Sequence, residues 1–211
     1  MNAIKLQTAD NNSIPLKVVQ GHFATNHSHV NYYIDLVTLK KRVSEAEELA
    51  ETLISNFMAG LVVDTIICLD GTQVVGTLLA QQLSAGGFNS MNQHNTIYVV
   101  TPEYNTNSQM VFRDNLVPMV YNKNVLILNA SVSTGITVKR AAESVRYYGG
   151  KVSGVCAIFS DIKEVDGMKI NTVFGPQDIP DYATYDAAEC PLCKAGQKID
   201  ALVNAFGYSK M

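Results

Sequence analysis

Hydrophobic and polar positions follow two alternating patterns through the middle of the chain. Apolar residues recur at i, i+3 and i+4 spacing in three segments, which predict helices at 43–58, 74–83 and 136–148. Short runs rich in Val and Ile predict strands at 61–69, 96–100, 125–128 and 152–159. Strands that alternate with helices predict an α/β fold, with a mostly parallel sheet and helices on both faces.

Residues typical of helix ends lie beside these helices. Ser44, with Glu47 three residues later, predicts a capping box at the start of the first helix. Gly60 follows that helix, and Gly-Gly pairs at 86–87 and 149–150 follow the other two. The sequence therefore predicts where each helix begins and ends.

The two ends of the chain follow neither pattern. We assign 1–42 to an N-terminal hood and 175–211 to a C-terminal appendage, both attached to an α/β core over 43–174 in a single domain. No internal repeat or Pro/Gly linker divides the core. With 211 residues, of which 47% are hydrophobic and 17% charged, the chain can bury a core and is not a disordered protein.

Charge and hydropathy exclude two classes of partner. The formal net charge of −3 argues against a nucleic-acid binder that relies on a positive field. Residues 1–10 lack the apolar core of a signal peptide, and no apolar run is long enough to span a bilayer, so we expect a cytoplasmic protein without a membrane partner. The stretch 43–112 contains seven acidic residues and no Lys or Arg, so a site built there would repel a polyanion.

An apolar strand at 124–128 runs into a hydroxyl-rich turn and then a helix. Gly135 allows a ligand to approach the backbone, and the first N–H groups of the helix lack intrahelical partners. With the helix dipole and the nearby hydroxyls, this suits a monophosphate, although Ser and Thr also serve as simple helix caps. The candidate phosphate-binding residues are Ser131, Ser133, Thr134, Gly135, Ile136 and Thr137.

This segment resembles a known signature. Residues 124–137 are similar to the phosphoribosyl diphosphate (PRPP) signature of type I phosphoribosyltransferases, which is a hydrophobic strand, two acidic residues and then Thr-Thr-Gly-x-Thr. Gly21-His22-Phe23 and the stretch 29–35 are similar to N-terminal motifs of orotate phosphoribosyltransferases. Cys190-Pro191-Leu192-Cys193 resembles a segment near the C-terminus of some of these enzymes. The resemblance covers roughly 20–197 in the right order.

The resemblance implies a fold and a set of roles. It implies the type I phosphoribosyltransferase fold, a homodimer and a nucleotide or ribose phosphate as ligand, with magnesium present only when PRPP is bound. The pyrophosphate loop of the family corresponds to a remnant at Gly71, Thr72, Gln73 and Gly76. Three aromatic residues are candidates to stack on a base or, equally, to pack in the core of the hood: Phe23, Tyr32 and Tyr33.

Several departures from the family pattern bear on catalysis. Asn129 and Ala130 stand where the signature has two carboxylates, and neither can act as an anionic ligand. The counterpart of the family's basic catalytic loop, 101–109, contains no cation, and Val75 stands where many orotate enzymes have Lys. Each lost group costs about 3 kcal/mol of transition-state stabilisation on the scale of oxyanion donors, so we expect very poor turnover of PRPP.

Three functional hypotheses follow. The one that fits the residues best is a phosphoribosyltransferase-like protein that binds a 5′-phosphate and senses or sequesters a nucleotide. The alternative is an active transferase that makes a nucleoside monophosphate from PRPP and orotate or a related base, with unusual groups in place of the carboxylates. The third is a structural subunit that pairs with an active paralogue, since active sites in this family are often completed across a dimer.

The remaining candidates concern metal binding and charge. Cys190 and Cys193 have the spacing of half a zinc site, but the chain has no second such pair; a redox pair and a tight turn are the alternatives. His22, His27 and His29 are candidate metal ligands or hydrogen-bonded surface residues. We therefore expect no metal site. The basic run 40–42 is typical of a solvated face, although in the family such residues can reach a neighbouring active site.

Overall fold

The computed structural model describes residues 3–7, 14–26, 28–85, 91–92, 96–107 and 109–211. The strands are β1 (Ile4–Leu6), β2 (Leu16–Ala24), β3 (His29–Asp35), β4 (Thr65–Cys68), β5 (Tyr98–Val100), β6 (Glu103–Tyr104), β7 (Met110–Val111), β8 (Asn124–Val132), β9 (Lys151–Ser160), β10 (Glu164–Val165), β11 (Met168–Phe174), β12 (Thr184–Tyr185), β13 (Ala201–Asn204) and β14 (Gly207–Lys210). The helices are α1 (Val37–Lys41), α2 (Val43–Phe57), α3 (Gln73–Ala85), α4 (Ile136–Tyr147) and α5 (Pro191–Lys194).

The chain divides into two compact units. One, here called the central unit, is Leu39–Val173; the other, the terminal unit, combines Met1–Thr38 with Phe174–Met211. No helix among the described residues is both long and apolar enough to cross a lipid bilayer.

A mostly parallel sheet forms the core of the central unit. Its strand order is β10-β11-β9-β8-β4-β5, in which β5, β4, β8 and β9 run parallel and β10 pairs antiparallel with β11. Every residue of β4 is buried, as expected for a parallel strand covered on both faces. The α/β prediction is confirmed.

The predicted helices are present because their apolar residues form one stripe. Helix α2 buries Ala46, Leu49, Ala50 and Leu53, and α4 buries Val138, Ala141, Ala142, Ser144 and Val145. The predicted capping box is wrong. Helix α2 already begins at Val43, so Ser44 lies inside it, and the N-cap residue is Arg42, with no side-chain cap. The Arg42 guanidinium instead contacts the Glu45 carboxylate at 3.4 Å.

The connections between these strands place a crevice at the carboxyl ends of β4 and β8. From β4 the chain passes through α3 to β5 on one side, and from β8 it passes through α4 to β9 on the other. The carboxyl ends of β4 and β8 therefore flank the point at which the strand order reverses. Open α/β sheets bind their ligands at such a point.

Strands from both ends of the chain form the sheet of the terminal unit. Its order is β12-β3-β2-β13-β14, with β1 on β2; β2 and β3 are antiparallel, and β13 runs parallel to β2 with Ala201 opposite Phe23. One buried cluster packs on it: Val19, Phe23, Val30, Tyr33, Ala201 and Val203. The segments assigned to a hood and an appendage thus contribute strands to one sheet.

Candidate functional site

A short turn joins β8 to α4 and is held by Gly135. This residue is the N-cap of α4, with φ +77°, and its carbonyl accepts the Lys139 N–H at 2.9 Å. A Cβ atom at this position would lie 2.8 Å from Val165 Cγ2 and 3.0 Å from Ile162 Cδ1. Both the left-handed backbone and the close neighbours therefore require glycine.

The start of α4 is not capped by a side chain among the described residues. Ser133 and Thr134 are exposed, Ile136 is 42% exposed, and Thr137 is half-buried in the first turn. Ser131 lies near the end of β8 and is exposed, so it belongs to the strand rather than the turn. The alternative that Ser and Thr serve here only as helix caps does not fit this geometry. As at the start of any α-helix, the first N–H groups of α4 have no intrahelical acceptor.

The two positions that carry carboxylates in the PRPP signature lie inside β8. Asn129 is 1% exposed and Ala130 is fully buried. Asn129 Oδ1 accepts the Ala130 N–H at 2.9 Å, whereas Asn129 Nδ2 has no hydrogen-bond partner among the described residues. No charge is therefore present at these two positions, and a buried amide donor inside the strand has no acceptor within the described part of the chain.

The loop after β4 lies beside the end of β8. Asp70 and Gly71 both have left-handed backbone, with φ of 52° and 79°. Buried Thr72 donates its hydroxyl to the Leu69 carbonyl at 2.8 Å and to the Leu128 carbonyl of β8 at 3.2 Å. The loop at 70–72 is thus tied to β8, the strand that leads into the turn at Gly135.

Two further remnant residues lie at the start of α3. Gln73 Nε2 donates to Thr101 Oγ1 at 3.3 Å, which links α3 to the segment after β5. A Cβ atom at Gly76 would overlap Cys68 Sγ, so glycine lets α3 approach β4 closely. Burial raises the pKa of the Cys68 thiol to about 12, which leaves it a packing residue rather than a nucleophile.

A buried lysine lies behind this loop. Lys40 is 1% exposed, and its ammonium donates to the Asp70 carbonyl at 2.8 Å. Burial raises the pKa of the Asp70 carboxyl, and the Lys40 charge acts in the opposite direction. The interpretation of 40–42 as a solvated run is therefore wrong for Lys40. No local pattern distinguishes it from its exposed neighbour Lys41, so sequence reasoning had no signal for this cation.

The segment that replaces the family's basic loop forms a small hairpin. Strands β6 and β7 pair, and Asn105 Oδ1 closes the turn by accepting the N–H groups of Asn107 at 2.9 Å and Gln109 at 3.0 Å. At the base of the hairpin, Arg113 Nη2 lies 2.6 Å from Glu103 Oε2. The cation nearest the hairpin in sequence is thus already paired.

Tyr104 on this hairpin connects the two loops electrostatically. Its pKa is raised by burial and by the Asp70 charge, and lowered by Arg140 of α4. A carboxyl from the loop after β4 and a guanidinium from α4 therefore both act on this hydroxyl. Arg140 is exposed, and it lies close enough to Tyr104 to lower the pKa of its hydroxyl.

The aromatic candidates lie in the terminal unit. Phe23 is fully buried, Tyr32 is 8% exposed and Tyr33 is 5% exposed. Phe23 and Tyr33 belong to the buried cluster on β2 and β3, and the Tyr33 ring meets Tyr208 edge to face at 5.2 Å. These rings pack in the core of the unit; a role in contacting a base stays a prediction.

The cysteine pair lies beside two histidines. The ligand atoms of His22, His29, Cys190 and Cys193 all lie within 4.8 Å of one another. His27, the third candidate histidine, falls outside the described residues. No local pattern joins the cysteines to the histidines, because 168 positions separate His22 from Cys190.

Sequence comparisons find two orotate phosphoribosyltransferases and a transcriptional regulator. No family model matches. The orotate phosphoribosyltransferase of Caldanaerobacter subterraneus subsp. tengcongensis is 40% identical over 76 residues, which are 35% of this chain and 38% of that enzyme's length. The orotate phosphoribosyltransferase of Sulfurimonas denitrificans is 24% identical over 200 residues, 86% of this chain and 90% of that enzyme. The transcriptional regulator GfcR of Picrophilus torridus is 45% identical over 56 residues, 26% of this chain and 29% of the regulator.

Solved structures with a similar fold include two phosphoribosyltransferases. The orotate phosphoribosyltransferase of Mycobacterium tuberculosis H37Rv, in complex with Fe(III) dicitrate, aligns with a TM-score of 0.54 and 18% identity over 77% of this chain and 91% of that one. A phosphoribosyltransferase of Corynebacterium diphtheriae aligns with a TM-score of 0.54 and 20% identity over 76% of this chain and 89% of that one. At these identities the likeness establishes a shared fold.

Proposed function

Because this chain has the type I phosphoribosyltransferase fold, we propose that it binds the 5′-phosphate of a nucleotide or ribose phosphate at the turn between β8 and α4. We further propose that it transfers phosphoribosyl groups from PRPP poorly or not at all. The observation that carries the binding proposal is the start of α4, which has no side-chain cap. It is preceded by Gly135, whose φ of +77° and close neighbours favour glycine at this position.

The chemistry of the turn supports a phosphate ligand. Free N–H groups at a helix start and the positive end of its dipole favour a dianion, and exposed Ser133 and Thr134 add hydroxyl donors. The crevice lies where the strand order reverses, which is the usual ligand site of such sheets.

The same geometry is unfavourable for transfer. Asn129 and Ala130 are buried and uncharged, so the residues present do not fit a magnesium ion, which takes oxygen ligands from carboxylates. The Lys40 ammonium donates to the Asp70 carbonyl, and the Arg113 guanidinium is paired with the Glu103 carboxylate. Negative charge that develops on a leaving diphosphate would therefore be stabilised by few positioned cations. Each such group contributes about 3 kcal/mol to transition-state stabilisation.

A regulatory use of the bound phosphate is the second candidate. It is supported by the 45% identity, over 56 residues, to a protein named as a transcriptional regulator. In this version, ligand binding changes the affinity for a partner rather than producing a nucleotide. The net charge of −3 gives no support for direct binding to nucleic acid.

Thermal unfolding with matched ligands tests the binding proposal. We expect uridine monophosphate and ribose 5-phosphate to raise the unfolding temperature, and uridine and ribose at the same concentration to leave it unchanged. A ligand at 100 times its Kd stabilises the fold by about 2.7 kcal/mol. Equal shifts for the phosphorylated and unphosphorylated ligands would refute a phosphate site.

A steady-state assay tests the second half of the proposal. With PRPP, orotate and magnesium we expect turnover far below the roughly 10 per second of an ordinary enzyme. Turnover near that value would identify an active transferase and refute impaired transfer, while leaving phosphate binding intact. Release of pyrophosphate and formation of orotidine monophosphate are to be measured separately, so that simple hydrolysis of PRPP is recognised.

A further inference from the structure

The four side chains beside the C-terminal turn are arranged around a single point. His22 Nε2 lies 3.1 Å from His29 Nδ1, 3.5 Å from Cys190 Sγ and 3.7 Å from Cys193 Sγ, and Cys193 Sγ lies 3.3 Å from His29 Nδ1. Neither cysteine is in a disulfide. His22 and Cys190 are fully buried, whereas Cys193 is exposed.

Hydrogen bonds alone do not account for this cluster. His22 Nδ1 lies 2.9 Å from the Gln197 carbonyl, which only accepts, so Nδ1 carries the proton and Nε2 of the neutral ring offers one lone pair. His29 Nδ1, Cys190 Sγ and Cys193 Sγ all lie close to this lone pair, which accepts one good hydrogen bond. A cation shared by all four atoms satisfies each of them at once.

The distances match those around a tetrahedral metal. Zinc, with Zn–N near 2.0–2.1 Å and Zn–S near 2.3 Å, spaces two nitrogens by about 3.4 Å and a nitrogen and a sulfur by about 3.6 Å. The observed nitrogen pair is at 3.1 Å, and the nitrogen–sulfur pairs are at 3.3, 3.5 and 3.7 Å. The two remaining pairs, His29 with Cys190 and Cys190 with Cys193, have their ligand atoms within 4.8 Å of each other.

We propose that His22, His29, Cys190 and Cys193 form a structural zinc site. Two thiolates and two imidazoles are the donor set that zinc takes in closed, four-ligand sites, whereas magnesium and calcium require oxygen. Because all four positions are filled by protein, no position is left for a substrate. The site therefore stabilises the terminal unit rather than catalysing a reaction.

Local structure orients each ligand. The pairing of β2 with β3 shifts register between Gln20 and Phe23, and such a bulge redirects a side chain, here His22. The Gln197 carbonyl fixes the His22 tautomer so that Nε2 faces the metal, which is the usual second contact of a metal-bound histidine. Asp200 holds the His22 backbone from both sides, accepting its N–H at 2.8 Å and donating to its carbonyl at 2.7 Å.

The cysteines lie on a compact turn. Cys190 is the N-cap of α5 and its carbonyl accepts the Lys194 N–H at 3.1 Å, while Cys193 accepts the Gly196 N–H at 2.9 Å through its own carbonyl. Gly196 has φ +74°, which lets the chain reverse directly after α5. This turn holds both sulfurs on the side that faces β2 and β3.

The site joins distant parts of one small unit. It links the hairpin of β2 and β3 to the turn at 190–196, which are far apart in the sequence but belong to the same unit. Since the ligands converge only in the folded chain, metal binding contributes directly to folding.

Metal analysis of the reduced, full-length protein tests the proposal. We expect one zinc per chain after purification without chelator, its loss to a strong chelator with a lower unfolding temperature, and recovery with zinc but not magnesium. Cobalt in place of zinc is expected to give the visible absorption of a tetrahedral ion with thiolate ligands. An octahedral cobalt spectrum, or no binding of zinc and cobalt to the reduced protein, would overturn the proposal.

Variants separate this site from other thiols. Cys193→Ser changes an exposed residue, and we expect it to lose zinc to a chelator concentration that the unaltered protein withstands. Cys156→Ala changes a buried thiol in β9 and is expected to retain one zinc. Equal retention by Cys193→Ser and the unaltered protein would contradict the assignment. If Cys193→Ser does not fold, the cobalt spectrum of the unaltered protein tests the assignment of the site instead.

Discussion

Gly135 and Lys40 show how single residues shape the candidate phosphate site. Gly135 sets the direction of the chain between β8 and α4, in a conformation that leaves no room for a Cβ atom. Lys40 holds the backbone of the loop after β4 by its bond to the Asp70 carbonyl. Only Gly135 could be identified from the sequence, because the residues next to it in the chain form a recognisable signature. The burial of Lys40 depends on residues that are distant in the sequence.

Gly135→Ala is expected to abolish phosphate binding. The left-handed backbone costs a residue with a Cβ roughly 1–2 kcal/mol, and Val165 and Ile162 block the new methyl group. Gly149→Ala is the matched control, since Gly149 has φ +75° and a similarly close neighbour in Tyr121 at 2.7 Å. Both variants lose stability, but only Gly135→Ala loses the thermal shift with ribose 5-phosphate. Loss of the shift in both would show a general folding defect instead.

Lys40→Met is expected to destabilise the central unit by about 1–3 kcal/mol. The substitution keeps the length of the side chain but leaves the Asp70 carbonyl without its donor. Lys41→Met alters the exposed neighbour and is expected to change stability by less than about 0.5 kcal/mol. Urea unfolding of the two variants measures the difference. Equal stability of both variants would mean that the buried ammonium contributes nothing.

Asp70→Asn is expected to stabilise the protein at pH 7. Burial raises the pKa of Asp70 above its ordinary value of 3.8, so the folded state binds this proton more tightly than the unfolded chain. Stability is therefore lost as pH rises from the unfolded pKa through the folded one, and Asn removes that loss while tolerating the left-handed backbone. Urea unfolding from pH 3 to 8 is the measurement. A gain that does not shrink toward pH 3 would contradict this origin.

Among the elements, those of the central unit were largely predictable. Helices α2, α3 and α4 and strands β4, β5, β8 and β9 all overlap their predicted ranges, because each has a pattern contained within its own residues. The limits differ where polar residues enter a strand. Strand β8 continues through Asn129 to Val132, since neighbouring strands supply the pairing that the local sequence does not reveal.

Helix α4 carries two exposed arginines that test its role in binding. Arg140 acts on Tyr104 near the crevice, whereas Arg146 lies in the last turn. We expect Arg140→Gln to weaken binding of uridine monophosphate several-fold, with less dependence on salt, because the helix that begins at the proposed phosphate site loses a cation. Arg146→Gln is expected to bind as the unaltered protein does. Calorimetric titration at two salt concentrations measures both, and equal affinities would exclude a contribution from Arg140.

The whole molecule contains relationships that no local pattern predicts. The resemblance to type I phosphoribosyltransferases is confirmed by the relatives and the shared fold. The sheet of the terminal unit was not foreseen, because its key contacts, such as the Asp200 carboxylate with the His22 N–H, join residues 178 positions apart. The convergence of two histidines with two cysteines was missed for the same reason.

Metal removal is expected to affect one unit only. If zinc binds as proposed, chelation should increase amide hydrogen exchange in β2, β3 and β13, where two ligands and their supporting strands lie. Exchange in β8 and β9 of the central unit is expected to stay unchanged. Hydrogen exchange with mass spectrometry, with and without chelator, measures both sets of strands. A uniform increase would show that the two units unfold together.

The parallel pairing of β2 with β13 also constrains how the chain is made in the cell. Strand β2 leaves the ribosome early, but its neighbour β13 is synthesised after the whole of the central unit. Until then the end of β2 at Phe23 and Ala24 lacks the neighbour that β13 provides, which leaves a place for pairing with the wrong strand. The terminal unit therefore completes its sheet only late in translation, when the central unit is already able to fold.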